Sequence, residues 1–403
     1  MKFIRNTLDK YKHHFEKGGK LERYFYIWEA NDTFLFAPKQ TTASKGVQIR
    51  DAIDLKRLMI TVIISMIPCL LFGIWNVGHQ HYLATGELNV EFWPKILFGL
   101  KLTIPIIIVS YAVGLGTEFI FSVIRQHPIN EGYLVTGMLI PLVMPPGIPL
   151  WQVALATIFA VVIGKEAFGG TGMNVLNVAL TARAFLYFAY PSQMSGDVWT
   201  YLDDKTPVDG FSGATPLSVA AESVGPEANG QSVVANLNSF GQGWGDGMYE
   251  FMNIFFGFIP GSIGETSTLM VIIGAMILIA TGVGSWKIIV SVFAGAYVMG
   301  TFTNLIASNE YMAMPAEYHL VIGGLAFGAV FMATDPVTAA QTERGKWIYG
   351  FLIGMLTVMI RVFNPAYPEG IMLAILLMNV FAPLIDYFVV GANKKRRLKR
   401  ATV

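Results

Sequence analysis

A single cysteine, Cys69, excludes an intrachain disulfide, and it excludes a self-contained iron–sulfur centre, which takes several thiolates. Charge is scarce too. Asp, Glu, Lys and Arg make up 14% of the chain against 54% for the apolar types. That balance is wrong for a soluble domain of this length and right for a helical chain that crosses a bilayer many times. The sequence has no Gly-x-x-x-x-Gly-Lys phosphate loop, no dinucleotide fingerprint after a strand and no Cys/His metal spacing. Nucleotide and iron–sulfur chemistry therefore belongs to partners, and no nucleic-acid partner is expected. No cleavable leader is expected: residues 1–56 are charged, with Ile4, Leu8, Tyr11 and Phe15 along one helical face. They read as a cytoplasmic amphipathic segment against the membrane or a partner, or as an ordinary solvated helix.

What is abundant is apolar sequence in runs. About ten spanning or near-spanning segments are expected, near 57–77, 96–124, 133–146, 150–168, 174–191, 266–286, 288–308, 318–333, 347–363 and 369–391. The third ends in Met144-Pro145-Pro146-Gly147 and is expected to be a broken or half-crossing helix. The fold expected is all-α and polytopic, with two inverted five-helix repeats, 57–191 and 266–391, around a polar loop, 192–265, and a basic tail, 392–403. Aligning Trp151 with Trp347 sets Lys165 opposite Arg361 and Phe185 opposite Phe381, a faint kinship between the halves.

Lysine and arginine placement gives the orientation. Arg125, Lys165, Lys287, Arg344, Lys346 and the run Lys394 to Arg400 fall on the side taken as cytoplasmic, with both termini. The opposite loops carry mainly Glu87, Glu91, Asp197, Asp203, Asp204, Glu222, Glu227, Asp246, Glu310 and Glu317, with Lys95, Lys205 and Arg361 as exceptions. Thr215 lies on that acidic, outer side.

Four features bear on chemistry. Ser212-Gly213-Ala214-Thr215, followed by Pro216 and Leu217, looks like the site where a flavin transferase esterifies FMN phosphate onto a threonine hydroxyl; as a bare tetrapeptide it also fits a surface turn. The stretch Gly164 to Asn177 is a glycine-dense turn, with Asn174 and Asn177 three apart at a helix start. It suits either the edge of a polar heterocycle or a tight interhelical turn with an asparagine cap. Glu118, Asp335 and Asp386 are acids within apolar segments, where the default reading is a cation or proton path and the bland one an interfacial or paired carboxylate. Arg183 is buried in the fifth segment and has to be paired, with a carboxylate or with an anionic flavin.

In this order these stretches resemble a known family: the B subunits of the bacterial sodium-pumping NADH:quinone oxidoreductases. Further carriers of the resemblance are His14 to Lys20, Asp54 to Arg57, Asn130-Glu131-Gly132, Ile259 to Glu265, Met332 to Pro336 and Asn364 to Gly370. The resemblance runs from end to end. It implies a multi-pass inner-membrane subunit of a six-subunit complex, with five partners of A, C, D, E and F type and the NADH site in one of them. It implies FMN bound covalently at Thr215, a noncovalent riboflavin with Asn174 and Asn177 in its site, ubiquinone as substrate and sodium as the transported ion. Gly114 and Glu118 map to the family's quinone or inhibitor patch, where Leu115 departs from the family's glycine. Asp335 and Asp386, with Glu118, map to acids implicated in sodium uptake. Two other readings stay open: the D subunit of the related ferredoxin:NAD oxidoreductases, which lacks so long an N-terminal segment, and a flavin-free channel of urea-channel type.

Overall fold

The computed structural model describes residues 2–36, 46, 55–128, 132–203, 205–224, 230–242, 244–245, 247–364 and 369–401. Asp54, Asn130, Glu131, Asp204, Glu227, Asp246 and residues 365–368 lie outside the described residues, as does the side chain of Ile4. The described residues contain helices and turns and no strand.

The charged N-terminal region forms two helices, α1 (Lys2–Phe15) and α2 (Phe25–Leu35). The first half of the bundle follows as α3 (Leu55–Ala84), α4 (Phe92–Arg125), α5 (Tyr133–Leu142), α6 (Leu150–Gly164) and α7 (Val178–Ala189). Between the halves lie three short helices, α8 (Pro216–Glu222), α9 (Val233–Ser239) and α10 (Phe251–Phe256). The second half is α11 (Thr268–Ala280), α12 (Trp286–Leu305), α13 (Ala316–Val321), α14 (Leu325–Phe327) running into a π-turn over Gly328–Met332, α15 (Glu343–Phe363) and α16 (Ile371–Ala401).

Six of these are long and apolar enough to cross a membrane: α3, α4, α6 with the turn after it, α12, α15 and α16. The chain is a multi-pass membrane protein. Helices α5, α7 and α11, of 10, 12 and 13 residues, are too short for a full crossing alone. At 1.5 Å per residue they reach about 15–20 Å, against a hydrocarbon core of about 30 Å. The third segment is short, as its Pro145-Pro146 pair predicts. The eighth is corrected: residues 318–333 are not one segment but two pieces broken at Gly323, whose φ of +69° belongs to the left-handed region.

Backbone groups freed at these breaks are satisfied inside the protein, as membrane-depth irregularity requires. After α5, the carbonyls of Leu142 and Met144 accept from Gly264 at 2.7 Å and Ile263 at 3.2 Å. Around the α13–α14 break, the fully buried Arg361 donates to the carbonyls of His319 (2.6 Å), Ile322 (2.9 Å) and Glu369 (3.0 Å). Two charge assignments made from the sequence are corrected here. Arg361 is no loop cation but a buried tie at the end of α15, and Lys165 is likewise buried, paired with Glu118.

Packing partners recur in the two halves: α4 packs on α5 and α6 while α12 packs on α13 and α15, and α6–α7 matches α15–α16. Close approach at α12–α15 rests on glycine. A Cβ at Gly295 would stand 2.1 Å from the Phe351 carbonyl oxygen, and one at Gly354 2.0 Å from that of Val292.

The segment 192–265 is more ordered than a polar loop. It carries α8 to α10 and a core of its own, in which Ala214, Leu217, Leu237 and Tyr249 pack with Tyr311 and Ile322 from the second half. Its ties to the bundle include Val208 N–H donating to Ala84 O (2.9 Å) at the end of α3 and Lys101 of α4 pairing with Asp203 (2.8 Å). Helices α1 and α2 sit at the other end, where Gln126, just past α4, donates to the Arg23 carbonyl.

Candidate functional site

Two cavities, one toward each end of α7, collect Thr215 with Arg183 and Asn174 with Asn177 and Asp335. The first is lined by Thr215, Ser218, Arg183, Tyr187, Trp199 and Glu265 among others. Thr215 is the N-cap of α8, with extended backbone (φ −78°, ψ 161°), and Pro216 takes the first helical position. Its hydroxyl oxygen accepts from Ser218 N–H at 3.3 Å, so it is half-buried at the cavity wall and held by one weak bond.

The rest of the tetrapeptide is fixed from behind. Ser212 Oγ accepts from Ala214 N–H at 3.3 Å, and the Ala214 carbonyl accepts from the Tyr249 hydroxyl. Tyr249 is fully buried and stacks on Phe240 with ring centroids 4.4 Å apart. Burial, with a smaller push from Asp197, raises its hydroxyl well above the usual tyrosine range, so it stays a donor. A side chain at Gly213 would stand 2.9 Å from the Asp197 carbonyl oxygen, which is why that position is glycine.

Arg183, Glu265 and Glu369 supply the cavity's charge. The two terminal nitrogens of Arg183 reach Glu265 (2.7 Å) and Glu369 (2.6 Å), and Ser262 donates to Glu265. Carboxylate pairing is thus the observed answer to its burial.

The second cavity is lined by Asn174, Asn177, Lys165, Thr136, Asp335 and Val337, with Leu58, Met59 and Phe331 on its apolar wall. The asparagines do converge, but not as neighbours on one helical face. Asn174 precedes α7 in an irregular turn and donates to Leu176 O (3.2 Å), while Asn177 caps the helix, its side-chain oxygen accepting from Leu180 N–H at 3.1 Å. The cap and the cavity are therefore both real, because the Asn177 amide nitrogen points on to Asp335 Oδ2 at 3.5 Å. Asp335 also accepts from Val337 N–H (3.0 Å) and Thr338 Oγ1 (3.2 Å).

The three acids expected on an ion path are apart. Glu118 is buried and paired with Lys165, whose ammonium lies 5.9 Å from the Tyr133 ring centroid. Asp386 is committed to the start of α15, accepting from Gln341 N–H (2.7 Å), Thr342 N–H (3.0 Å) and Thr342 Oγ1 (2.6 Å). Among the described residues no three His, Cys, Asp or Glu side chains come together as a metal site. Gly114, Leu115 and Glu118 line neither cavity. Gly114 leaves room for Tyr133, whose hydroxyl oxygen would be 1.8 Å from a Cβ there, and Leu115 packs on the main core.

Sequence reasoning passed over Tyr249, and it named Glu265 and Glu369 only within stretches that carry the resemblance, without a role. The glutamates had one available signal: a buried arginine in an apolar segment demands carboxylates from elsewhere in the chain.

A family model described as the NQR2, RnfD, RnfE family matches residues 42–395. The B subunit of the Na(+)-translocating NADH-quinone reductase of Chromohalobacter salexigens is 48% identical over 98% of this chain and 96% of its own length. The proteins of the same name from Stutzerimonas stutzeri and Pseudomonas aeruginosa are 48% and 47% identical, each over 98% of this chain and 99% of their own.

Proposed function

The chain belongs to the NQR2, RnfD, RnfE family, and from that premise we propose that it is the B-type membrane component of a sodium-translocating NADH:quinone reductase. In this reading it holds FMN as a phosphoester on Thr215 and riboflavin beside Asn174 and Asn177, and relays electrons toward ubiquinone while sodium is exported. NADH is oxidised in a partner, and the five partners are of A, C, D, E and F type. The membrane is the bacterial inner membrane, with both termini cytoplasmic and Thr215 on the outer side.

The observation that carries this reading is the position of Thr215, a half-buried hydroxyl in the wall of a cavity lined by aromatic and charged side chains. Tyr187, Trp199 and Met194 give that cavity apolar surface, and Arg183 with Glu265 and Glu369 gives it fixed charge. A bound flavin supplies the one- and two-electron chemistry that no side chain here offers. The chain's own residues bind and orient. Thr215 is the attachment atom, Tyr249 fixes the carbonyl just before it, and Asn174 offers an amide to the second cavity's ligand. Asp335, with the Thr338 hydroxyl beside it, presents hard oxygens of the kind sodium takes. Glu118 and Asp386 fit supporting parts, since each is already held by protein partners.

The test is co-expression with a flavin transferase and imaging of a denaturing gel for flavin fluorescence. Fluorescence that survives denaturation in the wild type and disappears in Thr215→Ala is expected. A dark wild-type band, with the transferase active on a known acceptor, removes the redox reading and favours the channel.

A further inference from the structure

Glu265 and Glu369 belong to two motif stretches that the flavin reading leaves without a task, and both enter the floor of the Thr215 cavity. They meet on Arg183, which gives Nη1 to Glu265 Oε2 at 2.7 Å and Nη2 to Glu369 Oε2 at 2.6 Å. The three side chains are only 4%, 6% and 15% exposed, so solvent screens them little. The remaining carboxylate oxygens turn the same way. A Cβ on Gly324 would stand 2.9 Å from Oε1 of both glutamates, and Gly324 itself lines the cavity. Both Oε1 atoms thus lie beside a stretch of cavity wall that carries no side chain, at Gly324. The formal charge of the trio is negative by one. Arg361 donates to the carbonyls of His319, Ile322 and Glu369.

We propose that Arg183, Glu265 and Glu369 form a charge-setting floor that fixes the redox potential of the flavin carried on Thr215, an inference that rests on the Thr215 reading above. One-electron reduction without proton uptake adds one negative charge to the ring: flavin plus one electron gives the reduced anion, with the electron supplied by the upstream carrier or, in a titration, by a mediator. Two carboxylates beside that charge disfavour it and one guanidinium favours it. The floor therefore holds the couple low, and neutralising either sign moves it in opposite directions. A purely structural ion cluster has no such signature, because losing either partner would merely loosen the site.

The experiment is a mediated redox titration of the purified complex, followed by flavin absorbance, with the Thr215→Ala complex subtracted to isolate the covalent flavin. Covalent flavin content is measured in parallel by in-gel fluorescence. Glu265→Gln and Glu369→Gln keep the shape and an oxygen acceptor for Arg183, and each is expected to raise the midpoint. Arg183→Gln is expected to lower it, and Arg183→Lys to lie near wild type. The expected size is tenfold or more in the ratio of reduced to oxidised flavin, about 59 mV for a one-electron couple. Full flavin content with unmoved midpoints in the two glutamate variants overturns the floor, as does a shift of the same sign for glutamate and arginine variants. If Arg183→Gln does not assemble, the two glutamate variants with Arg183→Lys decide alone. A wild-type complex without covalent flavin overturns the Thr215 reading, and the floor with it, which separates the two failures.

Discussion

The Ala214 carbonyl shows how much of the attachment loop depends on a residue far along the chain. Its oxygen accepts from Tyr249, a side chain with no exposed surface that stacks on Phe240. Removing that hydroxyl leaves a buried carbonyl without its side-chain donor, a loss of about 1–3 kcal/mol. Tyr249→Phe is therefore expected to lower thermal stability and to cut the fraction of chains that acquire flavin, while Thr215 itself is intact; flavin fluorescence per chain checks it. Asp386 makes a second residue-scale case. It holds two N–H groups and a hydroxyl at the start of α15, so Asp386→Ala should lower the unfolding temperature of the purified complex. Unchanged stability would contradict a holding role for Asp386 at the start of α15. The tetrapeptide from Ser212 to Thr215 was legible in the sequence as a motif. The tyrosine behind it was not, because nothing local marks a contact spanning 35 residues.

At the scale of elements, glycine decides how the second half packs. Helices α12 and α15 approach until a Cβ at Gly295 or Gly354 would collide with backbone oxygen. Gly295→Ala should cost at least the roughly 1–3 kcal/mol typical of overpacking, seen as a lower yield of assembled complex and a lower unfolding temperature. Assembly and unfolding temperature equal to wild type would contradict this packing. The apolar segments were legible from hydropathy, since each is a run of apolar residues between polar turns. So was the short third helix, because Pro145-Pro146 follows it directly. The break in the eighth segment was hidden. Gly323-Gly324 lies in sequence whose apolar character continues on both sides, and only the carbonyls held by Arg361 show where the helix stops. The segment 192–265 was read as a loop because its apolar residues are spread thinly; its core closes only when residues 311–322 join it.

For the whole molecule, α7 is the link between the two cavities. Asn177 and Arg183 are six residues apart, about 9 Å along a helix axis, and each lines a different cavity. Both stretches of the candidate site were legible in the sequence, from the Ser-Gly-Ala-Thr motif and the Gly164 to Asn177 turn. Their nearness was not, because it comes from the shortness of α7. The second cavity also contains Asp335, whose carboxylate reaches the residue that caps α7. In the proposed function a redox site and a cation-type acid share one wall, so a change of charge on a ligand beside Asn177 acts on Asp335 directly. Electron flow and sodium then meet at this contact. The measurement that tests it most directly is the sodium dependence of NADH-driven quinone reduction by the complex carrying Asp335→Ala, with Asp386→Ala alongside. Half-saturation by sodium is expected to rise tenfold or more in the first variant and to stay near wild type in the second. Unchanged sodium dependence in Asp335→Ala would contradict that coupling.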